Sequence, residues 1–275
     1  MTDRQLWLAA WAELTRTTDS YPTWAKKGFP AGTRWAKAKE LGDKIGLPTP
    51  PPPSTAWPHG GIGIWRTGSS VPSGSDRYDI VIVADWQADV AAALPATTKR
   101  LWYTSDVSCD DRTDRFYGMT AQELRANHWQ LKNTAGQDVY NSGYTHSVMA
   151  DPANPDYAAR WTSNVVAFLT AHHLDGIQVD DVDGVRRHYF RGETKYTTDQ
   201  AWQDAHAAFH RTAVSALRNR GFWVVSNTAG PLPFLTRIAT LADAVMLENY
   251  KGESDTVQAV IAGGAVVVPL AFGSP

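Results

Sequence analysis

Leu174-Asp175-Gly176-Ile177-Gln178-Val179-Asp180-Asp181-Val182-Asp183-Gly184 is a short apolar run that ends in acid. Successive side chains of a strand point to opposite faces, so Ile177 and Val179 share one face and Gln178 and Asp180 the other. A helical pattern precedes the run at 155–173. Asn154 stands there as N-cap, Pro155 takes the first helical position, and Trp161, Val165, Phe168 and Leu169 recur on one side. A second helical pattern follows at 198–220, with Trp202, Phe209, Ala213 and Leu217 in register and Gly221 as a stop. A strand bracketed by amphipathic helices belongs to a parallel sheet with helical crossovers. The apolar pair should face the helices, which turns Asp180 toward the barrel axis.

The same alternation extends in both directions. Short apolar runs occur at 62–65, 78–84, 100–104, 147–150, 174–179, 222–226, 244–247 and 265–270, and further helical patterns at 86–94, 120–127, 234–241 and 255–262. Eight such strands predict an α/β fold, a (β/α)8 TIM-type barrel. The competing doubly wound sheet lacks its glycine-rich phosphate fingerprint after the first strands. Ahead of the barrel, Leu6, Trp7, Ala10, Trp11 and Leu14 and then residues 35–45 read as short helices, followed by four consecutive prolines, Pro50 to Pro53. The expected division is a small N-terminal helical segment at 1–47, a Pro-rich linker at 48–58 and the barrel at 59–275.

Composition narrows the function. Lys+Arg is 26 and Asp+Glu is 28, a formal net charge of -2, which gives no electrostatic reason to expect nucleic acid or an anionic membrane as partner. The single cysteine, Cys109, excludes an intrachain disulfide framework and a thiolate zinc site. The start, Met-Thr-Asp-Arg-Gln, is charged and carries no signal-peptide pattern. The longest apolar run, 259–273, contains Gly263, Gly264 and Pro269 and is too short to span a bilayer. These features predict a chain made in the cytoplasm without a membrane anchor.

In such a barrel, functional residues stand at the carboxyl ends of the strands. Those ends read Asp85-Trp86, Ser105-Asp106, Asp151, Asp180-Asp181, Ser226-Asn227-Thr228 and Glu248-Asn249-Tyr250. So many acids around one mouth repel one another and need a reason. Alternation puts Glu248 with Met246 on the same side as Asp180. Two carboxylates converging on a cleft are the minimum for glycoside hydrolysis, one ionised as nucleophile or base and one protonated as acid. Hard divalent cations bind such a set too, and Asp85 and Asp151 could instead be helix caps.

The run 174–184 resembles the strand "GfDGvfxDdvd" of glycoside hydrolase barrels related to the endo-α-1,4-polygalactosaminidases, glycoside hydrolase family 114. Asp151-Pro152-Ala153-Asn154-Pro155 with Trp161 is similar to that group's "D-x-x-N-P…W", and Trp129-Gln130-Leu131-Lys132-Asn133 with Gly136 to its "W-l-l-k-x…G". The resemblance covers roughly residues 60–273. It implies a polysaccharide substrate, no cofactor and no metal, and a catalytic pair at Asp180 and Glu248, with Asp181 as rival because the doublet leaves the register open by one residue. Asp85, Asp106, Asp151, Asn227 and Tyr250 would then hold sugar hydroxyls. Trp65, Trp86 and Tyr103 would offer aromatic faces to sugar rings. A shorter stretch, Ser20 to Trp24 and Ala31 to Trp35, resembles segments of minor tail proteins of actinobacterial phages. It implies a virion location, other tail proteins as partners and, as the alternative function, a non-catalytic carbohydrate-binding or structural module.

Other signals have plainer readings. Trp7, Trp161 and Trp202 lie on helix faces and are expected in cores. His206 and His210 have metal-ligand spacing, but Ala207 stands where the metalloprotease motif needs Glu. Asp110, Asp111, Asp114, Arg112 and Arg115 suggest a solvated loop walling the cleft. Cys109 has no evident base partner, and Ser226 lacks the G-x-S-x-G turn of a serine hydrolase.

Overall fold

A computed structural model describes residues 62–65, 80–91, 93–95, 97–112, 116–186, 195–248 and 254–270. The expected helical segment at 1–47, the linker at 48–58 and the tail-like stretch at 20–35 lie outside them. Seven strands form one parallel sheet: β1 (Ile62–Trp65), β2 (Ile80–Val83), β3 (Lys99–Ser105), β6 (Gly176–Asp183), β7 (Trp223–Ala229), β8 (Ala244–Glu248) and β9 (Val266–Leu270). Their spatial order is their chain order. A doubly wound sheet reverses its strand order at a switch point. This one never reverses, as in a barrel. Among the described residues β1 pairs only with β2 and β9 only with β8, so the sheet is an open, barrel-type array and not a closed ring.

The fourth expected strand does not join this sheet. Ser147–Met149 (β5) pairs antiparallel with Ser108–Asp110 (β4), making a separate two-stranded unit. The isolated bridges Gln130↔Ala150 and Tyr140↔Val148 extend it. Its Val107, Leu131, Val139 and Met149 pack on Tyr196, Trp202 and Ala205. Three apolar residues in a row are too few to set sheet membership from sequence, and pairing with β4 decided it. β3 and β6 then become direct neighbours, with Tyr103 opposite Gln178 and Ser105 opposite Asp180.

Helices pack the outer face. α1 (Ala121–Ala126) is capped by Thr120, whose hydroxyl accepts from Glu123 N–H at 3.1 Å. α2 (Pro155–Ala171) starts at Asn154, whose side chain accepts from the amides of Asp156 and Tyr157. α3 (Asp199–Phe209) runs into a π-helical turn at His210–Val214 and a last helical turn at Ser215–Arg218. The expected helix at 198–220 is therefore interrupted. α4 (Leu232–Ala239) and α5 (Ser254–Gly263) follow β7 and β8. Trp102, Ile177, Val179, Val182 and Val224 of the sheet share one buried cluster with Trp161, Val165 and Leu169 of α2 and Phe209 and Leu217 of the α3 segment. Trp161 and Trp202 are fully buried, while Trp7 lies outside the described residues. A Cβ on Gly176 would sit 2.0 Å from the Trp223 carbonyl oxygen, so only glycine lets β6 begin against β7.

Candidate active site

The decisive local feature is a bulge in β6. Val179 pairs with Ser226 and the next pairing is Val182 with Thr228, so β6 spends one more residue than β7 over that interval. Val179 and Val182 both belong to the outer cluster. The two residues between them, Asp180 and Asp181, therefore both turn away from the helices. Strict alternation would have driven Asp181 into the apolar layer. Its φ of 65° marks the backbone twist that avoids this, a conformation Asp tolerates better than most residues.

The two carboxylates have different surroundings. Asp180 accepts from the Tyr103 hydroxyl on one oxygen and from Asn227 Nδ2 at 2.7 Å on the other. Asp181 accepts from Ser105 Oγ at 2.9 Å. That hydroxyl itself accepts from the amides of Ser108 (2.9 Å) and Val107 (3.3 Å), so its only proton is committed to Asp181. Burial and then the neighbouring Asp180 charge push the Asp181 carboxyl up to about 7, against the opposing pull of its serine hydrogen bonds. One strand thus delivers an acceptor and a group that carries a proton near neutrality.

A cleft of about 330 Å³ opens beside Asp181. Trp86, Tyr103, Tyr117 and Tyr144 line it with Asp110, Arg112 and His146. Asp110 was expected on a solvated loop but is buried in β4. Arg112 grips it through Nε at 2.9 Å and a terminal nitrogen at 2.5 Å. Asp111 and Arg112 are exposed, and Asp114 and Arg115 lie outside the described residues.

The sequence-predicted residues separate into groups. Asp180, Asp181, Tyr103 and Asn227 come together, and Trp86 lines the cleft with Tyr103 and Asp181. Asp85 opens the 3-10 turn after β2, and its carboxylate accepts from Phe116 N–H at 2.9 Å, fixing the loop above β3. Asp151 is buried and bound by Lys195 and the Tyr196 hydroxyl, so it anchors the segment before α3 instead of lining the cleft. Glu248 ends β8, but its side chain, that of Trp65, and Tyr250 lie outside the described residues. Tyr144, His146 and Tyr117 are not singled out by the sequence, and Ser105 is read there only as the end of the third strand. Tyr144 and His146 belong to the unexpected β4–β5 unit, so no strand-end rule could find them.

Asp106 does not reach the cleft either. It has no exposed surface and meets His206 Nδ1 at 2.6 Å. His210 Nε2 lies 3.1 Å from Ser226 Oγ, and its Nδ1 3.0 Å from the His206 carbonyl. A serine, two histidines and an aspartate are thus gathered in one place, yet all are fully buried, and burial lowers His210 to about 4. No substrate enters there, so the group is a core network. The spacing of His206 and His210 serves this network, His210 Nδ1 lying against the His206 carbonyl. Cys109 is buried as well, and burial raises its thiol to about 12, which leaves it unreactive.

No protein-family model and no curated protein matches the sequence. Among solved structures, the cycloisomaltooligosaccharide glucanotransferase of Paenibacillus sp., complexed with cycloisomaltoheptaose, is similar with a TM-score of 0.53 and 12% identity, over 79% of this chain and 38% of that one. The glycoside hydrolase domain of PelA from Pseudomonas aeruginosa is similar with a TM-score of 0.45 and 15% identity, over 68% of this chain and 66% of that one. The cycloalternan-degrading enzyme of Trueperella pyogenes in complex with isomaltose gives 0.48 and 12%, over 74% and 36%. The structural neighbours are thus glycoside hydrolases and glycosyl-transferring enzymes, and the chain spans less than two thirds of each. At these identities the likeness is one of fold.

Proposed function

We propose that the chain is a glycoside hydrolase that cleaves a polysaccharide, a cell-wall or exopolysaccharide glycan, by a two-carboxylate mechanism on a (β/α)8-type barrel. The observation that carries this reading is the β6 bulge, which sets Asp180 and Asp181 on one rim in environments that divide their roles. Asp180, with both oxygens accepting hydrogen bonds, suits the nucleophile or base. Asp181, which holds a proton near neutrality, suits the acid, and Glu248 at the end of β8 is the other candidate for that role. The similarity of residues 174–184 to the polygalactosaminidase-related barrels supports the same reaction class.

The test is reducing-sugar release from a panel of actinobacterial cell-wall and exopolysaccharide preparations, with wild type beside Asp180→Asn. Release by the wild type alone is expected. Binding to a preparation without release would favour the carbohydrate-binding module. Asp181→Asn and Glu248→Gln then separate the acids: the true acid's loss removes the upper limb of the pH profile.

A further inference from the structure

Trp86, Tyr140, Tyr144 and Leu232 are the large apolar side chains exposed among the described residues. Trp86 at 43% and Tyr144 at 58% both line the cleft beside Asp181. An aromatic ring with about half its surface exposed forgoes part of the burial that would stabilise the fold, so two such rings at one cleft point to a ligand that covers them.

Tyr144 sits on a built turn. Asn141 N–H donates to the Ser147 carbonyl at 2.9 Å, Tyr144 N–H to the Asn141 carbonyl at 3.2 Å, and Ser147 N–H to the Tyr144 carbonyl at 2.8 Å. The buried Asn141 side chain accepts from Gly143 N–H at 2.9 Å. The backbone is therefore fixed on both sides of an exposed ring. Beside it are Arg112, held flat by Asp110 with its side chain 49% exposed, and His146, 41% exposed. Flat apolar faces with polar groups at their edges match a pyranose, whose C–H face packs on an aromatic ring while its hydroxyls hydrogen-bond sideways.

We infer that the 141–147 turn and Trp86 form a subsite for a hexopyranose ring adjoining the one attacked at Asp180–Asp181, so that the substrate is a glycan chain lying across the cleft and not a simple glycoside. This rests on the glycosidase reading. The turn leads directly into β5, the stretch expected as the fourth barrel strand, so the departure from the regular fold supplies the specificity.

Calorimetric binding of chitosan, dextran and galactosaminan oligosaccharides of graded length tests it, on wild type, Tyr144→Ala, Trp86→Ala and Leu232→Ala. Tyr144 and Trp86 are exposed, so their removal leaves the fold intact, which circular dichroism checks. Each aromatic variant is expected to weaken binding about five- to tenfold, more for longer chains than for the disaccharide. Leu232→Ala, exposed but not lining the cleft, is expected to bind as wild type. Wild-type binding with an unchanged Tyr144→Ala overturns the subsite and leaves the glycosidase reading standing. A wild type that neither binds nor cleaves any of these glycans overturns both.

Discussion

Two acid-bearing clusters lie on opposite sides of the same strands. On the rim, Asp181 faces the neighbouring Asp180 and a cleft. Behind the sheet, Asp106 meets His206, with His210 and Ser226 beyond, and none of them touches water. The inner cluster looks more like a catalytic constellation on paper, since it gathers a serine, two histidines and an aspartate. The rim cluster, among the described residues, shows two carboxylates with hydrogen-bond donors. Access and partner type decide between them. The buried carboxylate is matched by an imidazole, which lowers the free energy of the fold. The rim carboxylate is matched by another carboxylate, which raises it and leaves a proton available for chemistry.

The largest effect that separates the clusters is on turnover. Asp180→Asn keeps the size of the side chain and one acceptor but removes the charge. It should lower kcat by about a thousandfold or more while leaving the melting temperature within a few degrees. Steady-state kinetics on the released sugar beside a thermal melt checks both halves. A large loss of stability with residual turnover would mean that the rim is structural after all.

The reverse is expected behind the sheet. His206→Ala strips the hydrogen-bond partner from a fully buried carboxyl group, a change that costs about 1–3 kcal/mol, and more where the stranded group is charged. Urea denaturation at neutral pH reads it directly. If His206→Ala abolished turnover while unfolding at the wild-type urea concentration, the network would belong to the mechanism and the contrast would fail.

The clusters also carry opposite pH signatures. Asp181 is raised from 3.8 to about 7 in the folded chain, so between those values the folded state binds the extra proton and stability falls as pH rises. His210 is lowered from 6.5 to about 4, so the unfolded state binds the extra proton and stability falls as pH drops through that window. Asp181→Asn should therefore be more stable than wild type at pH 8, with the difference vanishing below about pH 4. His210→Gln should flatten the acid side instead. Denaturation midpoints across the pH range test both signs, and a stability gain for Asp181→Asn that persists at low pH would show that burial charge is not its cause.

How much of this was legible in the sequence follows from range. The parallel strands and their helices were readable because periodicity is local: Ile177 and Val179 against Gln178 and Asp180 needs only four residues. Asn154 and Pro155 marked the start of α2 for the same reason. The fourth strand was misread because three residues carry no information about which neighbour they pair with, and β4 lay in a stretch read as a charged loop. The bulge was invisible, since Asp180-Asp181 obeys neither period and only the register against β7 reveals the extra residue. Asp106 stood at a strand end like the others. Its partners are 100 residues away on α3, beyond any local pattern.

The finest test exchanges one hydroxyl in each cluster. Tyr103 donates to Asp180 on the rim, and Tyr157 donates to the Asp106 carbonyl at 2.9 Å behind the sheet. Tyr→Phe at either site removes one oxygen and leaves the ring. Tyr157 has no exposed surface, so Tyr157→Phe should cost about 1–1.5 kcal/mol of stability, the net worth of a buried hydrogen bond. Turnover should change little, because Trp161 Nε1 still holds the neighbouring Ser105 carbonyl at 3.1 Å. Tyr103 is half-buried at the cleft, where water can replace the lost donor, so Tyr103→Phe should hardly move the unfolding midpoint. It frees Asp180 from a donor that orients it, and kcat should fall about tenfold with KM nearly unchanged. The two variants differ by the same atom. If each lowered stability alone, the rim would be a second core network, and the division between a cluster that holds the fold and a cluster that spends some of its stability on chemistry would collapse.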